Sequence, residues 1–422
     1  GRGAAARARA ATPRAAAGES KEARASAPRG ERRLIPVVLL GGLHIVRALG
    51  LAGIPVLVAS LDRRTPAMSS RYCAGGIALP RGAGRDAIIE ALVREGRRLA
   101  ALHGAPAPLF YDNDDRLALV QDYRDALAPH FALLLNAREL GEALLDKERF
   151  QALGERLGLP VPRCIEWGAL AAERGPVLAK PKVKTGWDGS PVLEQLLGGA
   201  GKARVFESGA AARAHPLVQQ LAGRLAFQEY IPGGDTALWS FHGFAAPGGE
   251  VLQGFIGRKI RTYPELTGDS AYLELAHDER LDALGRDIAA RLALSGIFKM
   301  DFKRSPATGR FHLLEINARF NLWHYVGAKN GVNLPCVAYE FLTARRRPAP
   351  SRARTRYRWL ALRYDRQARR ELRLGALRWL ASLARGPKVY ELFAWNDPAP
   401  FLRFWRSRCE SRWQRLWHST AS

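Results

Sequence analysis

The stretch Lys299–Phe320, KMDFKRSPATGRFHLLEINARF, constrains the fold more than any other part of the chain. Two strand-like runs, MDFKR and RFHLLEIN, flank the turn sequence SPATG, so the stretch predicts a β-hairpin. Side chains two apart on a strand share a face. Glu315, Asn317 and Arg319 therefore stand together on the second strand, with Asp301 early on the first. Hard oxygen ligands converging from adjacent strands suit Mg²⁺, which takes few protein carboxylates and completes its shell with water and phosphate oxygens. A cation beside carboxylates implies an anion between them, and polyphosphate fits. A solvated face of ion pairs has the same spacing, but Leu313, Leu314 and Ile316 argue for a strand packed on at least one side.

The chain has 422 residues, enough for two or three domains with sizeable cores. Its composition, 47% hydrophobic and 25% charged, is that of a globular protein. The four cysteines are scattered with no CxxC spacing, which argues against a zinc site or a disulfide framework and for a reducing compartment, the cytoplasm. No apolar run is long enough to predict a transmembrane helix. The net charge of +25 sits at the two ends. Basic residues exceed acidic ones by six in residues 1–33, by fifteen in 345–422 and by only four between them.

Residues 1–33 are rich in Ala and Arg with little to bury, which predicts a disordered tail, read either as a transit-like segment or as a non-native start. Residues 36–59 read strand–turn–helix–strand around Gly41-Gly42, a βαβ opening whose helix start favours anions. GxGxxG is absent, which excludes a dinucleotide fingerprint. Further strands at Ile77–Leu79, Pro108–Tyr111 and Phe131–Leu135, with helices between them, predict a small parallel sheet ending near Asn136. Asp112, Asn113 and Asp114 follow a strand's carboxyl end and serve either a ligand or the cap of the next helix. Farther on, VLAKP ends a buried-looking strand in Lys180. Glycines 186, 189, 198, 199 and 201, with Lys202, suit a mobile phosphate-covering flap, or else a loose hairpin tip. LAFQEYIPGGD offers Gln228 and Glu229 to an exocyclic amine and Asp235 to ribose hydroxyls. WSFHGFAAPGGEVLQGFIGRKIRTYP reads as two strands ending in the Arg258, Lys259, Arg261 cluster.

In this order, DK at 146–147, AKP at 179–181, the glycine-rich loop, QEYIPG at 228–233, RKIRTYP at 258–264, Asp301 and EINAR at 315–319 resemble the ATP-grasp superfamily from about residue 34 to about residue 344. The nearest likeness is to the carboxylate–amine ligase branch, close to D-aspartate ligase-like proteins. The resemblance implies an α/β and α+β fold. It comprises an N-terminal βαβ pre-ATP-grasp domain over 34–136, an ATP-grasp domain over 137–344 with a small lid at about 160–235, and a helical basic C-terminal extension over 345–422. It also implies roles. Lys147, Lys180, Gly199, Gly201 and Lys202 would bind nucleotide phosphates. Gln228, Glu229, Tyr230 and Ile231 would hold adenine, and Asp235 the ribose. Lys259 and Arg319, helped by Arg261, would clamp the transferring phosphoryl group. Asp301, Glu315 and Asn317 would hold Mg²⁺, with Mn²⁺ as the alternative. EINAR has alanine where the familiar form has proline, which removes rigidity but no ligand. The expected activity is an ATP-dependent ligase joining a small-molecule carboxylate to an amine through an acyl phosphate, with a homodimer left open. The alternatives are a catalytically silent ATP-binding regulatory protein and a basic surface-binding protein.

The extension holds six of the ten tryptophans among its arginines. Three readings apply to it: packing back on the body with arginines in water, peripheral contact with an anionic membrane, or nucleic acid, the last the weakest. AWNDPAPF, residues 394–401, reads as an ordered turn and favours packing.

Overall fold

The computed structural model describes residues 34–82, 84–182, 190–198 and 201–419, with side chains described through residue 410. Three sheets organise them. The first is parallel, with order β3-β2-β1-β4-β5. Its strands are β1 Val37–Leu40, β2 Val56–Ser60, β3 Cys73–Ala78, β4 Ala107–Tyr111 and β5 Phe131–Ala132. Its central strands β1 and β4 are buried along their whole length, as strands covered by helices on both faces must be. Asn113 accepts from Arg116 N and caps the helix Asp114–Asp122, the capping role of the two weighed for that position.

The second sheet is small and antiparallel, β7-β6-β8, from β6 Val177–Pro181, β7 Arg204–Phe206 and β8 Leu225–Glu229. It has its own core around Val177, Ala179, Phe206 and Phe227. The glycine-rich stretch is not one continuous loop, because a helix occupies Pro191–Leu197 and ends at Gly198 in the left-handed conformation.

The third sheet runs β13-β12-β9-β10-β11-β14-β15. Its strands are β9 Leu238–Ala245, β10 Val251–Tyr263, β11 Asp269–Ala276, β12 Gly296–Arg304, β13 Phe311–Asn317, β14 Arg358–Leu360 and β15 Lys388–Tyr390. The hairpin expected at 299–320 is β12–β13, with Asp301 opposite Glu315. The extension is thus not only helical. Two of its strands complete this sheet, and Trp359 is buried. Core packing also crosses the boundary expected at 136, since Phe110 stacks on Phe320 with centroids 4.3 Å apart. No helix among the described residues is long and apolar enough to cross a membrane.

Candidate active site

The three sheets meet at a cleft of about 470 Å³. On β12, Phe298, Met300 and Phe302 point into the core, so the alternating Lys299, Asp301 and Lys303 face the cleft. Strict alternation on β13 would send Glu315 the way of Leu313, which is fully buried. It does not, because Asp301 pairs with Glu315 and the next residue, Phe302, with Leu313, leaving Leu314 as a bulge. Leu314 and Glu315 both line the cleft as a result.

Asp301, Glu315 and Asn317 converge as expected. Asn317 Nδ2 donates to Glu315 Oε1 at 3.1 Å and to Asp301 Oδ2 at 3.4 Å, while Ser240 donates to Asp301 Oδ1 at 2.6 Å. Lys299 Nζ lies 2.7 Å from Asp301 Oδ2. The two carboxylates are hard oxygen ligands, while Asn317 turns its Nδ2 to them and its Oδ1 to Arg319; the amide and ammonium donors gathered on the carboxylates mark a place where a cation is favoured. These residues fit Mg²⁺. Arg319 grips Asp114 through two bonds of 2.8 and 2.9 Å and reaches Asn317 Oδ1 at 3.3 Å.

The opposite wall comes from the small sheet. Leu178 and Lys180 alternate with the core residues of β6 and line the cleft, as do Gln228, Glu229, Tyr230 and Ile231. Glu229 Oε1 accepts from Arg163 N at 2.9 Å. Lys147 opens the helix Lys147–Arg156 behind the Asp146 cap and also lines the cleft. Lys202 pairs with Asp269 at the rim. A Cβ at Gly201 would lie 2.3 Å from Leu197 O, so only glycine fits there. Gly199 lies outside the described residues, as do Gly186 and Gly189.

Two expected residues are elsewhere. Arg261 does not line the cleft. Lys259 pairs with Leu273 and Arg261 with Tyr272, so Ile260 is a bulge that turns Arg261 to the other face. There its guanidinium makes bonds of 2.6 and 3.0 Å to Asp365 of the extension. Asp235 is also committed, accepting from Thr262 N, Thr262 Oγ1 and Leu266 N at 2.6, 2.8 and 2.9 Å. It holds the end of β10 to the turn that follows it and does not line the cleft where a ribose was expected. The helix start at Gly42 has its anion already, since Asp112 Oδ2 accepts from Gly42 N at 2.6 Å.

Lys299, Lys303 and the segment Leu266–Ser270 were not singled out from sequence. The lysines could have been, since KMDFK alternates charge with apolar residues around Asp301. Lys303 lies 4.2 Å over the Tyr230 ring, and burial pulls its pKa down to about 8. Burial also lowers Lys259, with Asp301 opposing. At the far end stand His44, Asn321 and Trp323, while His324 and Tyr325 are buried behind them. Burial, reinforced by Arg47, drops the His44 pKa to about 3, so its ring is neutral.

No family model matches the chain, and no curated protein does. Solved structures do. Biotin carboxylase from Campylobacter jejuni, in its β-γ-ATP complex, aligns at 14% identity over 78% of this chain and 75% of that one, with a TM-score of 0.56. The biotin carboxylase domain dimer of Hydrogenobacter thermophilus 2-oxoglutarate carboxylase, with MgADP, ADP and bicarbonate, aligns at 14% identity over 77% and 73%, with a TM-score of 0.54. L-amino acid ligase from Bacillus licheniformis aligns at 14% identity over 74% and 75%, with a TM-score of 0.51. The fold is the ATP-grasp fold. In ATP-grasp terms, the cleft lies where the small antiparallel sheet faces the large one, with the parallel N-terminal sheet closing its far end.

Proposed function

We propose that the chain is an ATP- and Mg²⁺-dependent ligase that joins a carboxylate to an amine through an acyl phosphate. One observation carries this reading: Lys147, Lys180, Lys259, Lys299 and Lys303 converge on one cleft with the Asp301–Glu315 pair. Ammonium groups facing paired carboxylates suit a polyphosphate that brings a divalent cation with it.

Gln228, Glu229, Tyr230 and Ile231 hold the adenine end. Lys147, Lys180 and Lys202, with the glycines at 199 and 201, take the phosphates. Lys259 and Arg319 face the transferring phosphoryl group. Asp301, Glu315 and Asn317 hold Mg²⁺, with Mn²⁺ as the substitute. When bound, the ion would neutralise phosphate oxygens and favour charge build-up at the transferring group.

A carboxylate is a poor acyl donor because its leaving group would be oxide. Its oxygen attacks the γ-phosphorus, a P–O bond forms, the bond to the β-phosphate oxygen breaks, and ADP leaves. The amine nitrogen then attacks the acyl carbon. The C–N bond forms as the C–O bond to phosphate breaks, and the amine's proton passes to the departing phosphate. No protein nucleophile is needed. The chain supplies alignment, positive charge and exclusion of water. A homodimer is compatible with this reading.

The test is phosphate release from ATP with Mg²⁺ across pooled carboxylates and amines. Release is expected to need both substrates and to fall on the order of 10²–10³-fold in Glu315→Ala. Tight ATP binding without turnover across the screen would favour a regulatory nucleotide-binding protein instead.

A further inference from the structure

The extension carries a surface that the ligase reading leaves unused. Its rings form one chain: Phe393 lies 4.8 Å from Trp395 and 5.5 Å from Phe401, and Phe401 lies 6.1 Å from Trp405, centroid to centroid. Trp395 is 89% exposed, Leu402 62% and Trp405 52%. Phe401, Leu402 and Trp405 fall on one flank of the helix Ala399–Ser419. A contiguous apolar surface of this kind marks an interaction site.

The charge around it is predominantly positive. Arg403, Arg406 and Arg408 are exposed on the same helix, where Arg406 also pairs with Glu410 at 3.0 Å. Between Leu392 and Cys409 the only acidic residue is Asp397. That carboxylate is buried, bonded to Arg47 Nε at 2.9 Å, Ser70 Oγ at 2.7 Å and Arg71 N at 2.9 Å. The patch therefore stands on a fixed base, presents arginines, buries Asp397 and keeps Glu410 tied to Arg406.

We propose that this aromatic–arginine patch docks the protein on an anionic lipid surface. Trp and Leu enter the boundary between headgroups and acyl chains while arginines meet lipid phosphates, the division of labour of interfacial helices. A second copy fits less well, since it would bring the same arginines against these. Single-stranded nucleic acid fits less well too. The rings meet one another at interplanar angles of 64–81° and, with Leu402, make a continuous apolar surface rather than separate stacking platforms.

The test is flotation of the full chain with vesicles of phosphatidylcholine, alone or mixed with phosphatidylserine. The parent should float only with the mixed vesicles and be released by salt. The variant R403Q/R406Q/R408Q should bind on the order of a hundredfold more weakly. W395S/L402S/W405S should lose at least about tenfold. Both should keep the parent's unfolding midpoint and ATP binding, because the altered positions are exposed and none of them lines the cleft. Equal flotation with both vesicle types, or no loss in the apolar variant, would overturn the proposal. So would a concentration-dependent dimer, or binding to an RNA oligonucleotide, that the apolar variant abolishes while vesicles are ignored.

Discussion

Taking an ammonium out of water costs free energy that only a partner can return. Lys303 is 5% exposed, and burial lowers its pKa from 10.5 to about 8, with Asp235 pulling the other way. Between those values the unfolded chain holds a proton that the folded chain has lost, so stability rises with pH across that window. Lys303→Met should raise stability at pH 7 by between about 1 and 3 kcal/mol, the lower figure allowing for the Tyr230 contact. The gain should fade above pH 8 toward 10.5, while ATP binding weakens most below pH 8, where the folded side chain is an ammonium. Urea unfolding at pH 7 and pH 10 checks this, and an equal gain at both would contradict a buried ammonium. The alternation of KMDFK places Lys303 on the face of Asp301, a signal present in the sequence although Lys303 was not singled out from it. Asp235 was not legible, because its donors lie on Thr262 and Leu266, brought back by the fold.

Strands set which of these side chains reach the cleft, and the bulges correct the simple alternation. QEYIPG, AKP and the 299–320 hairpin could be read as strands because apolar and polar residues alternate with turn residues between. A bulge could not be read, since it is a property of pairing between strands and not of one strand's sequence. At Leu314 it brings Glu315 into the cleft; at Ile260 it takes Arg261 out. Arg261 and Asp365 form a buried pair, and Trp379 Nε1 donates to the same carboxylate at 2.7 Å. Asp365→Ala leaves that guanidinium uncompensated and should cost about 3–5 kcal/mol. Below its lowered unfolding midpoint the variant should still bind ATP as the parent does. Undiminished stability with lost ATP binding would return Arg261 to the cleft.

The chain from Leu34 onward works as a set of sheets tied together by its own C-terminal segment. Trp359 is buried in the core, β14 and β15 extend the large sheet, and Arg47 of the N-terminal unit is sealed against Asp397. Truncation after residue 344 should therefore give a chain that fails to fold cooperatively, visible as lost near-ultraviolet circular dichroism and a lost thermal transition. A truncated form that melts like the parent would contradict this. The parallel N-terminal sheet, the hairpin and most of the cleft lysines were legible from periodicity and motif order. The sheet-completing role of the extension was not, because three-residue strands among arginines leave no periodic signal. The most direct measurement is isotope transfer. With ATP, Mg²⁺, an amine pool and carboxylates labelled with ¹⁸O, activation of the carboxylate in this cleft predicts that the released phosphate carries one ¹⁸O per turnover. Phosphate released without label, its new oxygen drawn from water, would contradict carboxylate activation and reduce the cleft to an ATPase.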